Sequence, residues 1–254
     1  MNLKTIFPII FFSIFLLHAQ AVETLISSSG KNQVSLVELF TSQSCSSCPP
    51  AEDWVSSLQQ DPELWKKFVP IVFHVDYWNH LSWKDKFSSP KITKRQVDIS
   101  KHWKNASVYT PAVVINGENW KQWHSQKKIP TSQENISLQV SITKISEQTF
   151  RIKVIGLKES KHYIINAVRL GMGISSSIKS GENAGKVLQQ NFVVLDWAAE
   201  SVNAKTNVKE FTFQIKHSDS SRLAIAAWIE EAGNPTPLQS TGRVGQKNFA
   251  LGLS

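Results

Sequence analysis

The stretch Val34-Ser35-Leu36-Val37-Glu38-Leu39-Phe40-Thr41-Ser42-Gln43-Ser44-Cys45-Ser46-Ser47-Cys48-Pro49-Pro50-Ala51-Glu52 decides how this chain reads. Residues 34–40 form an apolar run with Glu38 as its one charge, which predicts a buried β-strand. A short polar turn carries Cys45, and residues 50–59 read as a helix with Trp54, Val55 and Leu58 on one side. Cys45 and Cys48 are the only cysteines in the chain. A helix N-terminus offers unpaired N–H groups and a partial positive charge, which stabilise a thiolate. That placement lowers the pKa of the first cysteine of a C-x-x-C pair, so the motif points to dithiol–disulfide chemistry.

A purely structural disulfide is the alternative. The loop it closes is very short, so chain entropy supplies about 2 kcal/mol or less. No further cysteines or His pair at finger-like spacing complete a zinc site. Glu38 lies seven residues before Cys45 in the apolar strand. A buried carboxylate there would have a raised pKa and would pass a proton to or from Cys48 during exchange. The phase of so short a strand leaves a sheet-edge position or a Lys partner open for Glu38.

Outward from the motif, Phe68 to Val75 is a second strand, too apolar to face water on either side. Strand, helix and buried strand suggest a βαβ unit with a parallel sheet. Asp76 to Ser107 is polar and aromatic, and Pro90 to Trp103 within it has helical character. Tyr109 to Gly117 is a third strand, ending in Asn116-Gly117; that dipeptide favours a tight hairpin with Glu118 to His124 returning antiparallel. A cis Thr110-Pro111 bond would leave the Thr110 backbone beside the cysteines, though only about 5–6% of X-Pro bonds are cis. Pro49 and Pro50 fall in the first helical turn, where missing N–H groups cost little.

Residues 126–135 read as a linker. Beyond them the pattern alternates with period two, in Ile136–Ile142 and Thr149–Val154. Tyr163–Leu170, Val187–Trp197, Glu210–Ile215 and Leu223–Ile229 are further strand candidates. Spaced strands without a long helical run suggest a small antiparallel β-sandwich. The chain thus divides into residues 1–21, 22–130 and 131–254.

Residues 1–21 have one positive charge, an apolar core and Ala19-Gln20-Ala21 at the end, the pattern of a cleaved signal peptide. Export to the periplasm or beyond, where disulfides persist, is the expectation, with no integral membrane segment after cleavage. The net charge is +8, but Lys and Arg are scattered and no nucleic-acid module is recognisable. His74, Asp76, His80 and Asp85 share an aromatic stretch that reads as a packed loop rather than a metal site. Ser180 to Val187 is a poor match to a phosphate loop and reads as a structured turn. No cofactor is expected.

The motif with its flanks, together with His74-Val-Asp-Tyr-Trp78, Trp83-Lys-Asp85, Phe87-Ser-Ser-Pro90, Tyr109-Thr-Pro111, Val113-Val-Ile-Asn-Gly117 and Gly181-Glu-Asn-Ala-Gly185, resembles the bacterial secreted family known as domain of unknown function 1223. The order of elements also resembles the thioredoxin fold. The resemblance implies an α/β thioredoxin-like N-terminal domain, βαβ…ββ around the C-x-x-C, followed by an antiparallel β-sandwich-like domain. It implies Cys45 as the attacking thiol, Cys48 as the resolving thiol, Pro111 as a cis-proline and Thr110 as its backbone partner. Glu38 resembles the buried acid below such a pair, displaced by one residue.

The resulting expectation is an exported thiol–disulfide oxidoreductase acting on a protein substrate or redox partner, with Ser46, Ser47, Thr110 and Pro111 at the contact surface. Two other classes stand beside it. One is a non-catalytic envelope binding module with a static disulfide. The other is a copper-handling protein using Cys45, Cys48 and His74.

Overall fold

The computed structural model describes residues 23–103, 106–126, 128–132, 134–215 and 222–245; the leader read at residues 1–21 lies outside them. The strands are β1 (Thr24–Ser28), β2 (Ser35–Thr41), β3 (Phe68–His74), β4 (Ala112–Ile115), β5 (Glu118–Asn119), β6 (Gln139–Lys144) and β7 (Thr149–Ile155). They continue with β8 (His162–Met172), β9 (Ile174–Ser177), β10 (Val187–Gln190), β11 (Val193–Asn203), β12 (Val208–Gln214), β13 (Arg222–Glu231) and β14 (Asn234–Val244). Two helices, α1 (Pro49–Ser57) and α2 (Pro90–Ser100), complete the set with short 3₁₀ turns at Leu58–Gln60 and Lys121–His124.

The expected architecture, an α/β thioredoxin-like unit followed by a β-sandwich-like domain, is corrected by this arrangement. Strand is the commonest structure among the described residues, and their helices are short. A mixed sheet of eight strands, ordered β14-β13-β8-β11-β3-β2-β4-β5, draws on both halves of the chain. Locally, β2 and β3 run parallel with α1 between them, and β4 lies antiparallel to β2. The far edge of β3 is then met by β11, where Val193 registers with Val72 and Val72 N donates to the Phe192 carbonyl at 2.8 Å. An apolar strand with an open edge leaves buried backbone groups unpaired, and β11 removes part of that edge.

A second sheet, β1-β6-β7-β12, packs on the first. Side-chain alternation on β8 and β13 explains why the two halves fuse. Tyr163, Ile165 and Ala167 of β8, with Ile225, Ala227 and Ile229 of β13, face the core shared with β6, β7 and β12. Val168, Leu170, Ala224, Ala226 and Trp228 enter the other core, with β2, β3 and α1. Strands buried on both faces need a layer on each side, so the second half cannot close on itself.

The Asn116-Gly117 turn forms as expected, with φ of 48° and 84°. A Cβ at Gly117 would sit 2.9 Å from Thr236 Oγ1, which excludes larger residues. The returning strand is shorter than the sequence suggests: β5 covers two residues before the chain turns into the 3₁₀ segment. The run Val187–Trp197 is split into β10 and β11 around Phe192, whose φ is 60°. Helix α2 begins at Ser89, whose hydroxyl accepts from Ile92 N.

Arg95 of α2 joins the halves. Its Nε donates to Glu38 Oε1 at 2.6 Å and its Nη1 to Glu230 Oε2 at 3.1 Å, all three groups being buried. Trp228 Nε1 donates to the same Glu230 oxygen at 3.0 Å, and its ring lies 4.9 Å from the guanidinium. Burial pushes Glu38 above the usual carboxylate range, with Arg95 acting against the rise. Burial also opposes the charge on Arg95, but the two carboxylates together hold it firmly protonated.

Candidate functional site

Cys45 and Cys48 form a disulfide at the head of α1, with Cα atoms 5.5 Å apart. Cys48 is the N-cap residue and Pro49 and Pro50 open the helix. Its carbonyl accepts from Ala51 N at 2.9 Å and Glu52 N at 3.2 Å. Cys45 Sγ lies 3.3 Å from Ser47 Oγ and 3.8 Å from the Thr110 carbonyl oxygen. The Thr110-Pro111 bond is cis, and Trp78 Nε1 holds the Thr110 hydroxyl at 2.8 Å. Cys45, Cys48, Ser46, Ser47, Thr110 and Pro111 are therefore gathered in one place. Ser46 and Ser47 are exposed, whereas Cys45 retains 2% of its accessible surface.

Glu38 is engaged elsewhere. Strand alternation sends Glu38 and Thr41 to opposite faces of β2. Glu38 meets Arg95, while Thr41 Oγ1 donates to Glu52 Oε1 of α1 at 2.6 Å. Glu52 follows Cys48 by four residues, so the two share a side of the helix, and both are buried. The buried acid on the α1 face, one helical turn after Cys48, is thus Glu52. Residue spacing alone supplies that signal once the helix is assigned: an acid one turn after the second cysteine.

Glu52 belongs to a buried polar chain. Gln190 Nε2 donates to Glu52 Oε2 at 3.3 Å, and Gln43 Nε2 donates to Gln190 Oε1 at 2.8 Å. Asp85 Oδ2 accepts from Gln43 N at 2.8 Å and pairs with His74 Nδ1 at 2.6 Å. His74 Nε2 is buried without a hydrogen-bond partner. Burial raises Glu52 above the usual carboxylate range, and nearby His74 opposes the rise. Burial disfavours the His74 cation, but Asp85 and then Glu52 raise its pKa above the ordinary value. Burial likewise works against ionised Asp85, yet His74 and the N–H groups of Gln43 and Phe87 keep it low. The arrangement sets the buried Asp85–His74 pair next to a carboxyl that burial makes hold its proton more tightly than usual.

A segment from the second half closes the site. Gly181 to Gly185 forms a turn, as expected for this stretch, with Ala184 N donating to the Gly181 carbonyl at 3.1 Å. Asn183 Nδ2 donates to the carbonyls of Gln43 and Cys45, each at 2.9 Å, and Glu182 Oε2 accepts from Ser46 N at 3.0 Å. Ser180 Oγ donates to the Ser82 carbonyl at 2.8 Å. These partners were not accessible to sequence reasoning, because they lie far from the cysteines along the chain. Among the described residues no group of three or more His, Cys, Asp and Glu converges to hold a metal ion. Nor is any helix among them long and apolar enough to cross a membrane.

The fold and site define a mostly β protein with a disulfide set at a helix head inside a buried polar cluster. The family model of a protein of unknown function, DUF1223, matches residues 36–230, and the chain belongs to that family. Among solved structures it is similar to protein AGR_C_4864 of Agrobacterium tumefaciens, with a TM-score of 0.59 and 20% identity over 87% of this chain and 98% of that one. It is also similar to HBP35 of Porphyromonas gingivalis, with a TM-score of 0.57 and 13% identity over 85% and 76% of the two chains. At these identities the likeness concerns the fold. No curated protein matches the chain.

Proposed function

We propose that this protein is an exported thiol–disulfide exchange protein acting on protein disulfides through Cys45 and Cys48. The observation that carries the reading is the Cys45–Cys48 disulfide at the head of α1 with buried Glu52 one turn below it. In the reduced form, the Cys45 thiolate attacks one sulfur of a substrate disulfide. The substrate S–S bond breaks, the released sulfur takes a proton, and a mixed disulfide forms. Cys48 gives its proton to Glu52, attacks Cys45 Sγ and expels the second substrate sulfur. Two electrons pass from the protein dithiol to the substrate, and a dithiol donor restores the reduced pair. Export to an oxidising compartment agrees with the leader-like N-terminus.

The test is covalent trapping. Cys48→Ser should accumulate a reductant-sensitive adduct with a disulfide-bearing protein through Cys45, and Cys45→Ser should form none and lose insulin-disulfide reduction. Equal activity in Cys45→Ser overturns the proposal. The near-complete burial of Cys45 favours one second reading, a binding module with a static disulfide. That reading requires the pair to stay oxidised in mild reductant, and a potential below about −300 mV.

A further inference from the structure

Ser46 and Ser47 place no charge between the cysteines. The folded chain brings one there from 136 residues away, as Glu182 Oε2 takes the Ser46 N–H. Its partner Ser46 holds the Glu182 carboxyl below the usual range, so the group is an anion. Of the groups at the helix head only the Ser47 hydroxyl, 3.3 Å from Cys45 Sγ, is a hydrogen-bonding partner of the sulfur. Pro49 and Pro50 have no N–H, and Cys48 N donates to the Cys45 carbonyl at 3.3 Å. The Thr110 group nearest Cys45 Sγ is a carbonyl oxygen, which repels a thiolate. The cation of the same segment, Lys186, is bonded to Asn183 Oδ1 at 2.9 Å, on the far side of the amide that holds the Cys45 carbonyl.

A reduced C-x-x-C pair is stabilised chiefly through its thiolate, so a site with few backbone donors and an added anion favours the disulfide. We propose that Glu182 sets Cys45–Cys48 as a reducing couple, whose dithiol gives two electrons to protein disulfides rather than withdrawing them from protein thiols. The direction rests on the exchange reading above; the influence of Glu182 on the potential does not. Glu182 acts as a positioning residue through Ser46 and the local field, without touching the substrate.

The experiment equilibrates wild type, Glu182→Gln, Glu182→Ala and Lys186→Gln in dithiothreitol buffers of defined ratio, with thiol trapping as the readout. Both Glu182 variants should shift the equilibrium toward the dithiol by about tenfold, which is about 30 mV for a two-electron couple. Lys186→Gln should produce no such shift. An unchanged or opposite shift in Glu182→Gln, or an equal shift in Lys186→Gln, overturns the proposal. Thiol trapping needs no protein substrate. A shifted potential with no adduct in Cys48→Ser would therefore sink the exchange reading while retaining the role of Glu182 in the couple.

Discussion

Asn183 donates from one nitrogen to the carbonyl of Cys45 and, through its second proton, to that of Gln43, each at 2.9 Å. The amide is fully buried, so these bonds tie the second half of the chain to the cysteine turn out of reach of water. Asn183→Ala removes the donor of the Gln43 carbonyl and leaves the Cys45 carbonyl with the Cys48 N–H, at a cost of about 1–3 kcal/mol. Urea unfolding should show a loss in that range, and reduction of the disulfide by dithiothreitol should become faster. Unchanged stability and reduction rate would mean that the strap merely rests on the site.

Arg95 neutralises two buried carboxylates that come from opposite halves, Glu38 and Glu230. Arg95→Met should cost about 3–5 kcal/mol at neutral pH, because it leaves buried charges without a partner. The deficit should shrink in acid. In the variant Glu38 loses the guanidinium that opposes its burial-raised pKa, so it binds its proton more tightly folded than unfolded and stability rises as pH falls. Denaturant titrations at pH 5 and pH 8 decide this, and an equal loss at both would refute it.

Glu52→Gln separates proton transfer from packing. The variant keeps the shape and the partners Thr41 and Gln190 but cannot take the proton of Cys48. Stopped-flow measurement of the resolving step should show slowing of about 10²-fold, with loss of the pH dependence in its rate. Glu38→Gln should lower stability without that kinetic signature. If the two variants behave alike in the resolving step, Glu52 has no special place in it.

His74 and Asp85 define a pH window. The folded pKa of His74 is raised above its ordinary 6.5, so its stabilising contribution is complete below 6.5 and lost as pH rises through the folded value. Asp85 is lowered from 3.8, so its contribution is complete above 3.8 and lost as pH falls through the folded value. Stability from this pair should therefore plateau between the two ordinary values. Unfolding followed from pH 3 to pH 9 should show the plateau, and His74→Gln should abolish the decline on its alkaline side.

Much of this protein is local, and the local part is legible. The apolar runs at 34–40 and 68–75 become β2 and β3 because strands of that composition must be buried on both faces. Asn116-Gly117 turns because its φ angles are ones that few other pairs adopt. Cys45 and Cys48 are three residues apart, so their pairing at the head of α1 follows from the helix alone. The alternation of β6 and β7 is likewise read directly, since one face of each packs inward.

What the tertiary structure alone decided is where the open edges and charges go. The joining of β11 to β3 turned two expected layered units into one mixed sheet, because edge pairing depends on strands brought together from across the chain. The phase of β2 sent Glu38 to Arg95 and Thr41 to Glu52, a choice that one residue of register reverses. Glu182 and Asn183 reach the cysteines because their turn is carried there between β9 and β10. Periodicity along a chain records which face of an element is buried; it does not record which distant element buries it.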